Sequence, residues 1–158
     1  MGIFELLEES ALALWVGESL WGYPIMLSLH AVGLSIVVGI FTMLNLRILG
    51  LLKDIELSAF KSLYQVGWAG LAINAISGFS LFSSQATYFV TSKPFLIKIA
   101  AIIVGVIVAI FLYRCLYLKD EDTSEKKTIK DQSTRNLAVL SLLCWTIAIF
   151  SGRLVAYL

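Results

Sequence analysis

One histidine, two prolines and two cysteines are all that the 158 residues hold of those types, and no aspartate or glutamate falls within the long apolar runs. Each scarcity excludes something. Cys115 and Cys144 make no CxxC or other metal-ligand spacing, so neither a zinc site nor a disulfide framework is expected, and both read as thiols in apolar surroundings. No HExxH, phosphate-cradling glycine loop or nucleophile–base pair is present, which argues against protease, kinase or hydrolase chemistry. A net charge of +1 without a basic patch leaves no footprint for nucleic acid. The amino terminus carries Glu5, Glu8 and Glu9 where a signal peptide would be basic. The first span is therefore expected to act as its own insertion signal and to remain in the mature protein.

What is abundant is apolar. Hydrophobic residues make up 59% of the chain and mean hydropathy is +0.88, against roughly 45–50% apolar residues in soluble domains. This composition predicts one integral membrane domain, all-α, with the lipid bilayer as its surroundings.

The pattern predicts a short interfacial amphipathic helix over 3–16, with Phe4, Leu7, Ala11, Leu14 and Trp15 on one face and Glu5, Glu8 and Glu9 on another. Four spans follow, at about 24–46, 58–83, 95–118 and 137–158, each long enough for a hydrocarbon core of ~30 Å at ~1.5 Å per residue. The expected architecture is a four-transmembrane-helix bundle. Pro24 and Pro94 stand in first turns, where a helix tolerates them. The segment 84–93 reads as a loop, and Lys119 to Asn136, with five basic and five acidic residues, as a solvated connector.

Small and polar residues pick out the faces of these helices. In the first span Ser28, Ser35, Gly39 and Thr42 form a lane suited to close helix packing, with His30, Met26, Gly33 and Val37 on nearly the opposite side. Two such faces favour a homo-oligomer or partner membrane subunits. In the second span Gly67, Gly70, Asn74, Ser77, Gly78 and Gln85 share one stripe, which should face the bundle interior. Lys98 aligns with Ala101, Gly105 and Ala109, and so should point inward. Arg153 shares its face with Thr146, Phe150 and Tyr157.

Charge sets the expected orientation. Arg47, Lys53, Lys61, Arg114, Lys119, Lys126, Lys127, Lys130 and Arg135 fall on one side, and Lys93, Lys98 and Arg153 on the other. The positive-inside rule then predicts a bacterial inner-membrane protein with both termini in the periplasm. Trp15, Trp21, Tyr23, Tyr88, Phe89 and Tyr157 would form the outer aromatic belt. Counting inward from that boundary at ~1.5 Å per residue puts His30 roughly 9 Å deep, Lys98 about 6 Å, Arg153 about 8 Å and Asn74 about 14 Å. Cys115 and Cys144 fall in the other leaflet. Arg47 reads as an anchor at the cytoplasmic end.

Ionisable groups at such depth are costly and usually have a task. His30, Lys98, Arg153 and Asn74 therefore form the candidate site. A structural reading has the two cations snorkel to the interface while His30 and Asn74 tie helices together. Against it, two cations without an intramembrane carboxylate call for an anion to complete the site. Haem b is the first candidate cofactor, with His30 on the iron and Lys98 and Arg153 on the propionates, in a redox or electron-transfer role. One histidine leaves the iron five-coordinate unless a second copy supplies another. Alternatives are a quinone or small anionic metabolite on the same residues, or copper on His30 and Met26 with ligands from a neighbouring subunit.

The runs Leu29-His30-Ala31-Val32-Gly33, Asn45-Leu46-Arg47-Ile48-Leu49-Gly50, Ser77-Gly78, Pro94-Phe95 with Lys98, and Ser151-Gly152-Arg153 with Ala156-Tyr157 carry a resemblance over nearly the whole chain. Together they resemble an uncharacterised family of small four-helix bacterial inner-membrane proteins. The resemblance implies that fold and marks His30, Arg47, Lys98 and Arg153 as its polar positions. A more distant likeness is to copper-resistance membrane domains and small membrane cytochromes b.

Overall fold

A computed structural model describes residues 2–52, 54–117, 131–155 and 157. Among these the protein is all-α: α1 (Ile3–Glu8), α2 (Ala11–Glu18), α3 (Gly22–Leu49), α4 (Leu57–Ser83), α5 (Ala86–Thr91), α6 (Lys93–Tyr117) and α7 (Gln132–Leu154). Four of them, α3, α4, α6 and α7, are long and apolar enough to cross a membrane, which makes the chain a multi-pass membrane protein built as a four-helix bundle. Met1, Lys53, residues 118–130, Ala156 and Leu158 lie outside the described residues, and with them most of the connector expected over Lys119 to Asn136.

Local chemistry sets the helix ends. Pro24 sits in the first turn of α3, where its missing N–H is no loss. The helix then runs 28 residues, about 42 Å, to Gly50, whose φ of 89° suits a residue without Cβ. There the Leu51 N–H turns back to the Leu46 carbonyl at 3.0 Å. Pro94 holds the second position of α6.

Three expectations need correction. The interfacial helix is two helices: Ser10 is extended, and its Oγ accepts the Ala13 N–H at 3.3 Å, so the chain restarts rather than continues. The packed side of α2 is Ala13 and Val16, buried against α3 and α4, whereas Phe4, Ala11, Leu14 and Trp15 are exposed. The loop over 84–93 contains α5, tied to α1 by the Thr87 N–H, which donates to Glu8 Oε1 at 2.8 Å. The fourth long helix begins at Gln132 and ends at Leu154, because backbone hydrogen bonding continues through polar Gln132 and Asn136, whose amides bond to each other at 2.9 Å.

In the bundle, α3 packs along α4 and α6 along α7, and α3 meets α7 to join the two hairpins. The core lies toward the end that carries Arg47, Lys61, Arg114 and Arg135. There Phe41 stacks on Trp145 at 5.5 Å and meets Tyr64 edge-on at 5.3 Å. Tyr64 also touches the Tyr113 ring at 4.7 Å and donates its hydroxyl to the Ala109 carbonyl, linking α4 to α6. Asn45 Nδ2 donates to Ser141 Oγ at 2.8 Å, a buried bond between α3 and α7. Without a hydrophobic drive between helices in lipid, ring packing and such bonds supply the association.

The predicted lane on α3 does not serve that purpose within the chain. Ser28, Ser35 and Gly39 are exposed; the two hydroxyls donate to the carbonyls of Pro24 and Ala31 at 2.8 Å, and nothing lies within 4 Å of a Cβ built at Gly39. Close approach occurs on the His30 side instead. A Cβ at Gly33 would stand 2.7 Å from Asn74 N and 2.9 Å from the Gly70 carbonyl, so the α3 and α4 backbones touch there.

Candidate functional site

The Gly33–Gly70 crossing sets the geometry of the site, because one turn farther along α3 it brings His30 against the backbone of α4. His30 Nδ1 lies 3.0 Å from the Asn74 carbonyl, and the Asn74 amide donates back to the His30 carbonyl at 2.9 Å. A carbonyl only accepts, so Nδ1 carries the hydrogen and donates it. The Ser77 hydroxyl gives its hydrogen to the Ile73 carbonyl at 2.6 Å and rests 3.3 Å from Nδ1. Gly78 makes the room: a Cβ there would fall 2.9 Å from His30 Cε1 and 3.2 Å from Nδ1.

On the other hairpin Gly152 performs a similar service for Lys98, whose stem runs past it. A Cβ at Gly152 would meet Lys98 Cδ at 3.3 Å, Cε at 3.4 Å and Nζ at 3.6 Å. The inward-facing stripe expected for Lys98 holds, since Ala101, Gly105 and Ala109 are buried and Lys98 is half-buried. Arg153 is exposed, as are Thr146, Phe150 and Tyr157 on its face, and its guanidinium lies 5.9 Å from the Tyr157 ring centre.

Between the hairpins, at the end opposite the aromatic core, is an open cavity of about 630 Å³. His30, Lys98 and Arg153 all line it, from three different helices. Among the described residues no carboxylate lines it. Phe82 and Phe95 stack at 5.5 Å, and Phe89 joins Phe95 at 5.2 Å, making one aromatic wall shared by α4, α5 and α6.

Two of the expected site residues are placed differently. Asn74 is buried beneath the imidazole and does not line the cavity; it holds His30 in place. Met26, one turn from His30 on α3, is half-buried and is not among the lining residues. Among the described residues no group of three or more His, Cys, Asp or Glu side chains could hold a metal ion. Cys144 is buried beside Gly105, away from the cavity. Arg47 Nε donates to the Ile55 carbonyl at 2.6 Å, which pins the α3–α4 turn at the far end of the bundle.

Sequence reading did not single out Gly152, Phe82, Tyr23 or Leu27 as parts of the site. Nothing in their types marks them, for a glycine that vacates space and a ring that forms a wall look like ordinary bundle residues. No protein-family model matches this chain, and no curated protein or solved structure matches it.

Proposed function

We propose that the chain is a bacterial inner-membrane protein that binds an anionic, membrane-partitioning molecule in the cavity of His30, Lys98 and Arg153. The observation that carries this reading is a pair of cations and an imidazole lining one cavity, with no carboxylate among its described lining residues. In a bilayer such a set is costly until an anion completes it. The aromatic wall suits a flat apolar body, and the basic residues suit carboxylate or phosphate oxygens.

Haem b is the first occupant to test. Its iron would take a nitrogen of His30 and its propionates would take Lys98 and Arg153, giving the chain a redox or electron-transfer role. The second axial position would be open or supplied by another copy in a homo-oligomer. A quinone or small anionic metabolite would use the same cations and the same rings. The charge distribution supports a periplasmic cavity: Arg47, Lys61, Arg114 and Arg135 gather at the opposite end, as a cytoplasmic end would carry them.

The absorption spectrum of detergent-purified protein tests haem directly. A Soret band that is lost in His30→Ala supports it, and a colourless protein from haem-replete cells removes it. In the second case extraction of bound quinones and acids separates the remaining occupants.

A further inference from the structure

Lining a cavity does not say what a histidine does there, but the partners of its other nitrogen do. His30 Nδ1 is committed to the Asn74 carbonyl at 3.0 Å. One Asn74 amide hydrogen goes to the His30 carbonyl and the Ser77 hydroxyl hydrogen to the Ile73 carbonyl; Asn74 Nδ2 and Ser77 Oγ each stand 3.3 Å from Nδ1, farther than the Asn74 carbonyl. Gly78 allows the ring to lie flat against α4 in this pose, and an alanine there would intrude. Nε2 has no hydrogen bond among the described residues and is not among their buried unpartnered atoms, so it is an accessible atom on a ring that lines the cavity. With Lys98 and Arg153 on the same cavity, the neutral ring is the form that adds no third positive charge. In that form an Nδ1–H leaves a lone pair on Nε2.

We infer that His30 is held as an Nδ1–H imidazole whose Nε2 acts as a Lewis base, so that the occupant of the cavity presents an electron-poor centre, a metal or a hydroxyl hydrogen, to His30 and its anionic oxygens to Lys98 and Arg153. This rests on the binding reading above and divides the occupant into two ends. A simple carboxylate fills only the cationic half. Metal-bound histidines characteristically give their other N–H to a backbone carbonyl, as His30 does here. A hydroxyl donor would use the same lone pair, so the two sources differ only in what meets it.

His30 is the sole histidine, so ¹⁵N labelling of histidine reports on it alone. In lipid nanodiscs the spectrum is expected to show a protonated Nδ1 and an unprotonated Nε2. Two probe pairs then separate the sources: haemin against metal-free protoporphyrin, and a long-chain hydroxy acid against its O-methyl ether. The expected result is that in at least one pair the first member binds at least about tenfold tighter and shifts the Nε2 resonance. His30→Ala should abolish that difference, and Lys98→Met should weaken both members together. A protonated Nε2 overturns the inference, as does binding by neither pair. If the members of each pair bind alike and still depend on Lys98, the anion-binding cavity stands and this assignment of His30 falls.

Discussion

Around Asn45 the helices are joined ring on ring and amide to hydroxyl; beside His30 the two hairpins part around an open cavity. Phe41, Tyr64, Trp145 and Leu112 are almost wholly buried at the first end, whereas Tyr23, Leu27 and Arg153 at the second are exposed. The polar groups differ in the same direction. Asn45 spends its amide on Ser141, inside the core, while Asn74 spends its amide and carbonyl on orienting His30. The comparison teaches that one end of the bundle holds the helices together and leaves the other free to carry cations with no carboxylate among the described residues of their cavity. Stability and binding should therefore respond to different substitutions.

The largest expected effect is at the packed end. Phe41→Ala removes a ring that touches α4 and α7 at once, and should cost about 3–5 kcal/mol of unfolding free energy in mixed micelles. A loss similar to that of a cavity-lining truncation would erase the distinction between the ends. Next comes Gly33→Ala, where the new methyl meets three backbone atoms of α4 rather than a movable side chain. It should cost about 2 kcal/mol and, because His30 is displaced from Asn74, also change the histidine ¹⁵N spectrum. Stability loss with an unchanged spectrum would uncouple the crossing from the site.

Smallest is the stability effect of the cations. Lys98→Met and Arg153→Met should shift unfolding by about 0.5 kcal/mol or less in ligand-free protein, since neither makes an ion pair among the described residues. A large loss would mean that the pair serves the fold rather than a ligand.

How much of this was legible beforehand follows from what each feature depends on. The four spans came from hydropathy and length, which the bilayer imposes on any sequence. Depth counting puts His30, Lys98 and Arg153 at one level, because helical rise is nearly constant, and the small-residue stripe turns Lys98 inward; a shared cavity depends besides on how the hairpins pack. Helix α5 was missed, being six residues between two chain reversals, too short for periodicity to show. The lane of Ser28, Ser35 and Gly39 was legible as small but not as outward-facing, for that depends on which neighbour claims the opposite side. Met26 shares a face with His30 by spacing, yet α3 lines the cavity through Tyr23, Leu27 and His30. Least visible was the acceptor for Nδ1: it is a backbone carbonyl, and any residue at position 74 would possess one.

The central claim is that the cations of the open end exist to hold an anion. Native mass spectrometry of the protein released from membrane nanodiscs tests it most directly, with the Lys98→Met, Arg153→Met double variant alongside. The account predicts a stoichiometric anionic molecule on the wild type that is absent from the double variant, with both folded. An unliganded wild type, or the same bound molecule on both proteins, would contradict it.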